Sequence, residues 1–391
     1  MRYAFISLLI FIFLCFSDQN VQRNARGSHT LQMRDSAITV SVSVTGDIMC
    51  HSVQFNYARV AADSFNFSPV FSEIKKYLAQ SDFVFGNLET VTAGEKKGYS
   101  GYPLFNSPDD FIAALEEAGF DLLTTANNHA IDRGETGIRR TIEQLKMSHL
   151  NYNGTFLSGR DRDSIRIFDI KGIRVAFLAY TYGTNGNYIP KGKEYLVNII
   201  DTIKIRTDIR RAREQGSDIV LAHLHFGDEY QHLPNSYQNE VVKKTINAGA
   251  DIIIGGHTHV LQPLDFFKTN NTRLDSGFVI YSMGNFISNQ RWRYSDGGAI
   301  LTFSLTKDIV KNSIHLNNVE FLPIWVFKGM TKSGRQYIII PSEAAFTDSL
   351  YYFLTPQDKK LATQSFNDTR EIILKNSSRS RLEHIIMKNP Q

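Results

Sequence analysis

Apolar and polar positions alternate over residues 38–45, with Ile38, Val40, Val42 and Val44 on one side. That period of two predicts a strand, ending at Gly46-Asp47. Ser68-Pro69 then predicts a helix start with Ser at the cap and Pro in the first turn, and Phe71, Ile74 and Leu78 form its apolar stripe. Phe83-Val84-Phe85 predicts a short buried strand running into Gly86-Asn87-Leu88-Glu89. The alternation repeats. Residues 107–118 form a capped helix stopped by Gly119, residues 122–125 a strand ending at Ala126-Asn127-Asn128-His129, and residues 134–146 an amphipathic helix. Residues 165–170 and 175–180 flank Lys171-Gly172 as a hairpin. Further on, residues 200–215 and 240–248 predict helices. Strands at 219–224, 252–254 and 278–282 end at His225, at Gly255-Gly256-His257 and at Met283-Gly284-Asn285.

Each apolar strand therefore releases polar residues at its C-terminal end, which predicts an α/β fold with a site along one sheet edge. Past about residue 297 the pattern turns β-rich, with strands expected at 299–305, 314–321 and 337–340. From about residue 356 the chain is polar with a short helix at 370–374. No repeat or linker divides the middle, so one folded domain is expected over residues 38–345, followed by a polar, partly helical tail over 346–391.

The first residues change the picture. A short positive start at Arg2 precedes an apolar run over residues 4–16 and then Ser17-Asp18-Gln19-Asn20. Residues 1–20 read as a secretory signal or an uncleaved N-terminal anchor, and residues 21–37 as a linker. Export is expected, to a periplasmic, extracellular or membrane-tethered location. Cys15 stands where a lipidated cysteine would, although Leu14 precedes it where a small residue is wanted. Cys15 and Cys50 are the two cysteines, so removal of the leader excludes an intrachain disulfide. Cys50 reads as a half-buried structural cysteine, with a soft metal ligand as the alternative. A formal net charge of +4 over 391 residues, without a Lys/Arg block, gives no reason to expect nucleic acid.

The chemistry sits at the strand ends: Asp47, Asn87 with Glu89, Asn128-His129, His225, and His257-Thr258-His259. Hard oxygen donors with imidazoles suit Mn, Fe or Zn. A His-x-His pair on a loop can aim both rings at one centre, and a carboxylate between two ions can bridge them. His223 shares a strand face with His225 and reads as supporting or core. Glu229 follows His225 and reads as an orienting or substrate-binding group. His149, His232, His315 and His384 read as surface residues.

These stretches resemble the CapA family of bacterial capsule and poly-γ-glutamate synthesis proteins, within the calcineurin-like metallophosphoesterase superfamily. The matching segments are Thr45-Gly46-Asp47-Ile48-Met49, Gly86-Asn87-Leu88-Glu89, Ala126-Asn127-Asn128-His129, His225-Phe226-Gly227-Asp228-Glu229-Tyr230, Gly255-Gly256-His257-Thr258-His259 with Gln262-Pro263, and Tyr281-Ser282-Met283-Gly284-Asn285-Phe286. The resemblance implies a four-layer α/β sandwich, two β-sheets flanked by helices, holding two divalent metal ions. It implies that Asp47 and His259 serve the first ion, that Glu89 replaces the usual bridging Asp, and that Asn128, His225 and His257 serve the second. His129 would be the acid. Asn285 and Asn87 would support these groups. Two departures from the wider superfamily stand out. Met49 holds the position of a customary His, which His51 either replaces or does not, and Glu89 is one methylene longer than Asp.

Two functions are compatible with this reading. One is a metal-dependent hydrolase-type activity on an envelope polymer or its precursor. The other is a non-catalytic assembly factor that binds an anionic polymer or membrane-bound capsule synthase subunits. A secreted phosphodiesterase or nucleotidase would share the site but not the closer motif forms. No Gly-rich Walker loop is present, so activation of glutamate by ATP is not expected of this chain.

Overall fold

The computed structural model of the chain describes residues 36–346, 351–375 and 385–387. The expected leader, most of the linker, Cys15 and His384 lie outside the described residues. Among the described residues no helix is long and apolar enough to cross a membrane.

The strand Ala37–Ile48 lies inside a nine-stranded sheet. On one side it pairs in parallel with Phe83–Leu88, beyond which come Leu122–Thr124 and Asn151–Asn153. On the other it pairs antiparallel with Gly297–Asp308, followed by Ser313–Thr331 and Gly334–Pro341. Asn285–Ile287 joins its C-terminal end in parallel. The second sheet has six strands, in the order Leu264–Lys268, Ser276–Ile280, Ile252–Gly256, Ile219–His225, Ile173–Thr181 and Arg166–Ile170. Its four inner strands run parallel.

Alternation decides how the sheets stack. Val40, Val42 and Val44 pack with Val175, Phe177, Ile219, Leu221, Ile252 and Ile254 of the other sheet in one buried cluster. Burying each such side chain stabilises the fold by roughly 1.5–3 kcal/mol. The opposite face of the first sheet carries Leu123 and Leu88 against the helices Asp110–Ala118 and Gly134–Met147 through Ile112, Leu115, Ile138 and Ile142. The opposite face of the second carries Val220, Ala222 and Ile253 against Thr202–Glu214 and Ser236–Ala248 through Ile205, Ile209, Val241 and Val242. The result is the expected order of layers: helices, sheet, sheet, helices.

Two glycines permit the close approach that aligns the strand ends. A Cβ on Gly46 would meet the Gly284 carbonyl oxygen at 2.0 Å, and one on Gly255 the Tyr281 carbonyl oxygen at 1.8 Å.

Several elements differ from the sequence expectation. The helix expected from Ser68 is split into Ser68–Phe71 and Lys75–Leu78, with Phe67 at the cap position. The Ser72 hydroxyl donates to the Pro69 carbonyl, a local bond that competes with helix continuation. The helix expected at 240–248 begins at Ser236, because Asn235 and Gln238 cap each other's backbone reciprocally. The short tail helix is Pro356–Lys375. It buries Ala362, Ser365, Thr369 and Ile373 along one face, and two polar members of that stripe hid it from a hydrophobicity reading. Cys50 is wholly rather than half buried, and burial pushes its thiol up to about 12.

Candidate metal centre

The strand ends bring the chemistry together as their register dictates. Asp47 pairs with Asn87 on one side and Asn285 on the other. Gly256 pairs with His225 in the second sheet, so His257 begins a loop beside it. His257 and His259 both adopt left-handed backbone conformations, at φ 91° and 59°. Such conformations are costly for side chains other than Gly and concentrate at functional sites.

Two groups of donor atoms result, Glu89 with His225 and His257, and Asp47 with Glu89 and His259. Within each group the ligand atoms lie within 4.8 Å of one another, and all five residues are buried. Glu89 belongs to both. Neither of its carboxylate oxygens has a hydrogen-bond partner, nor does Nδ1 of His257. A buried carboxylate with both oxygens unpaired is expensive unless a cation faces it. The donor set therefore fits divalent metal ions, and carboxylate with imidazole suits Mn, Fe or Zn.

Neighbouring groups fix the donors. Asp47 Oδ1 accepts from Asn87 Nδ2 at 2.8 Å, and Oδ2 accepts from the His257 backbone N–H at 3.1 Å. His259 Nδ1 lies 3.5 Å from Asp47 Oδ2 and 3.1 Å from Asn285 Oδ1. His225 Nε2 donates to Asn128 Oδ1 at 2.7 Å, which leaves its Nδ1 to accept from Asn87 Nδ2 at 3.2 Å. Asn127 Nδ2 donates to Asn87 Oδ1 at 3.1 Å and to the Leu88 carbonyl at 2.7 Å.

Electrostatics sort the carboxylates. Burial and the adjacent Asp47 push Glu89 well above the ordinary carboxylate range. Burial also works to raise Asp47, but His259, His225 and Asn87 together hold it well below that range. Burial keeps His225 neutral, so the lasting support for the Asp47 charge is His259 and the bonds from Asn87 and the His257 backbone. Burial lowers His257 to about 3 and His223 to about 4. Neutral imidazole is the form that binds metal.

His129 is buried, and its Nδ1 lies 2.8 Å from Asp132 Oδ2. A carboxylate there fixes the Nδ1–H tautomer and leaves Nε2 as the nitrogen that can exchange a proton. Phe105 packs edge-on to the ring at 4.7 Å. Asn128 Nδ2 donates to Asn185 Oδ1. His223 is buried on the inter-sheet side behind Gly256, with Nδ1 unpartnered. Glu229 Oε1 lies 3.9 Å from His259 Nε2 at the mouth. His51 belongs to neither donor group: it caps the helix Ser52–Ala58, and its Nδ1 accepts from the Asn289 backbone N–H. Met49 is buried. His149 and His315 are exposed, whereas His232 is half buried against the Tyr294 ring at 4.3 Å.

Sequence reasoning missed Asp132 and Gln290. Asp132 stands three residues after His129, a spacing that a turn brings within reach. Gln290 Oε1 accepts from Asn285 Nδ2, and its own Nε2 donates to the Tyr230 hydroxyl. Nothing in its local sequence marks it.

A two-sheet sandwich with carboxylate and imidazole donors gathered at the strand ends is the class of architecture expected from the motifs. The chain belongs to the family described as Bacterial capsule synthesis protein PGA_cap, which matches residues 41–290. It is similar to the capsule biosynthesis protein CapA of Bacillus anthracis, 29% identical over 341 residues that cover 85% of this chain and 80% of that protein. It is also similar to the PGA biosynthesis protein CapA of Bacillus subtilis (strain 168), 28% identical over 272 residues that cover 69% and 68%. Among solved structures, the Haemophilus influenzae NAD nucleotidase is 14% identical, with a TM-score of 0.47. That likeness covers 91% of this chain but just under two thirds, 65%, of the other.

Proposed function

We propose that this chain serves capsule or poly-γ-glutamate biosynthesis through a metal-dependent, hydrolase-type reaction on an envelope polymer or its precursor. The observation that carries this reading is Glu89, buried, with neither carboxylate oxygen hydrogen-bonded, and shared between two donor groups. Asp47, Glu89 and His259 would hold one divalent ion, and Glu89, His225, His257 and Asn128 a second. When bound, such ions neutralise a developing oxyanion and supply an activated water. Asn87 and Asn285 orient the donors. His129, its tautomer set by Asp132, is the group that hands a proton to a leaving oxygen. The buried walls exclude bulk water and strengthen each charge interaction. The family's description as capsule synthesis proteins and the apolar run over residues 4–16 support action outside the cytoplasm, and membrane-bound synthase subunits are the proposed partners.

The test is metal analysis of the purified chain together with hydrolysis of phosphodiester and γ-glutamyl probes. His257→Ala should lose metal. His129→Ala should keep it while turnover falls by roughly 10²–10⁴-fold, the range for losing an acid–base group. If His129→Ala supports normal polymer output in cells while His257→Ala does not, the ions are structural and the assembly-factor reading replaces this one.

A further inference from the structure

The mouth of the site is built of aromatic rings. Tyr182 lies over His257 with ring centroids 4.5 Å apart, Tyr230 lies 5.8 Å from His259, and Trp292 meets Tyr230 at 5.3 Å. These rings are accessible: Trp292 is 51% and Tyr230 37% exposed. Isolated exposed aromatics need no explanation, but several around one polar cleft mark a binding surface.

Tyr230 is held there deliberately. Its backbone is left-handed at φ 63°, a strained state for a bulky residue. Its N–H donates to the Thr258 carbonyl at 2.7 Å, between the two loop histidines. A chain of hydrogen bonds, buried up to its last link, runs from His259 Nδ1 to Asn285, from Asn285 Nδ2 to Gln290 Oε1 at 2.8 Å, and from Gln290 Nε2 to the Tyr230 hydroxyl at 3.1 Å. The ring and the candidate metal donor are thus positioned as one unit. Glu229 stands beside them with its side chain 44% exposed, and among the described residues no Lys or Arg forms an ion pair with it.

This combination chooses a ligand. A polyanion approaching the Tyr230–Trp292 rings would meet the part-exposed Glu229 carboxylate, whose ion-pair partner among the described residues is His259 at 3.9 Å. A sugar ring offers a flat C–H face to an aromatic platform and hydroxyl donors to a neighbouring carboxylate. We infer that Tyr230, Trp292 and Glu229 form a subsite for a neutral sugar ring attached to the phosphoryl group that the centre takes. The substrate class is then a sugar phosphate or glycosyl phosphodiester. This inference rests on the metal-dependent reading above.

The test uses the metal-loaded full chain and follows the change in tryptophan fluorescence on titration, Trp292 being the exposed one of the two tryptophans and Trp325 the buried one. The probes are glucose 1-phosphate, inorganic phosphate and a γ-glutamyl oligomer. The expected result is saturable binding of glucose 1-phosphate that weakens about three- to tenfold, by calorimetry, in Trp292→Ala and Tyr230→Ala. Trp292→Phe should restore most of it, and inorganic phosphate should bind both Trp292 variants as it binds the parent. Metal content and thermal melts of the same variants check that the fold is intact. Tighter binding of the γ-glutamyl oligomer, or glucose 1-phosphate binding that ignores Trp292→Ala, overturns the proposal. Hydrolysis of glycosyl phosphodiesters with Trp292→Ala neutral would sink the subsite and leave the hydrolase standing. Ring-dependent binding without turnover would do the reverse.

Discussion

Gly46→Ala is a small change with a large expected cost. The added methyl carbon would lie 2.0 Å from the Gly284 carbonyl oxygen and 3.0 Å from that of Met283. Ordinary contact begins near 3.4 Å, so the two backbones must part by roughly 1.4 Å, and neither is a flexible side chain that can swing away. Overpacking of this kind costs about 1–3 kcal/mol. The shift also strains the 2.8 Å bond from the Asp47 N–H to the Gly284 carbonyl, adding about 0.5–1.5 kcal/mol. A total loss of about 2–4 kcal/mol is expected. Asp47 and Asn285, paired across this contact, would separate, so metal affinity should fall with stability. Urea unfolding followed by circular dichroism, with and without added metal, reads both effects. Gly159→Ala is the control, since nothing lies within 4 Å of its Cβ and its backbone is ordinary. It should be neutral or stabilising by up to about 1 kcal/mol. If Gly46→Ala unfolds within about 0.5 kcal/mol of the parent, the close approach is not what aligns the strand ends.

Acid should destabilise the metal-free protein in a defined window. His51 and His223 are lowered from 6.5 to about 4 and His257 to about 3, each mainly by burial. The unfolded chain then binds more protons below pH 6.5, so their contribution is full above 6.5 and is lost as pH falls toward 4. The urea midpoint should drop across that range, and His223→Gln should flatten the slope; an unchanged slope counts against the burial account. Arg162 grips Asp208 through two bonds of 3.0 and 2.5 Å, and Tyr180 donates to the same carboxylate at 2.7 Å. Both ionic side chains are buried, so Arg162→Ala should cost about 3–5 kcal/mol by stranding Asp208. Adding Asp208→Asn should recover part of it, and an unfolding curve for the double variant no better than the single would refute the pairing.

Much of the framework was legible because strand polarity and strand ends are local signals. Val40, Val42 and Val44 declared an inward face, and Asp47, Glu89, His225 and His257 each followed an apolar run. What stayed hidden depends on partners far along the chain. Gln290 matters because Asn285 and Tyr230 reach it from either side. The helix Pro356–Lys375 is fixed by Ser365 donating to the Ile324 carbonyl, a contact invisible to periodicity. The role of His51 could not be read from its spacing to Asp47, because the Asn289 backbone claims its Nδ1.

The division of donors between the sheets has a consequence for the order of assembly. Asp47 and Glu89 come from the first sheet, His225, His257 and His259 from the second, and each donor group draws on both. The bond from the His257 N–H to Asp47 spans 210 residues. No nascent chain that stops short of residue 257 can complete either group, so a full donor set exists only once both layers have been made. An ion bound there would act as a rivet across two layers that hydrophobic packing holds face to face. A chelator would then be expected to loosen the seam between the layers before it unravels either one.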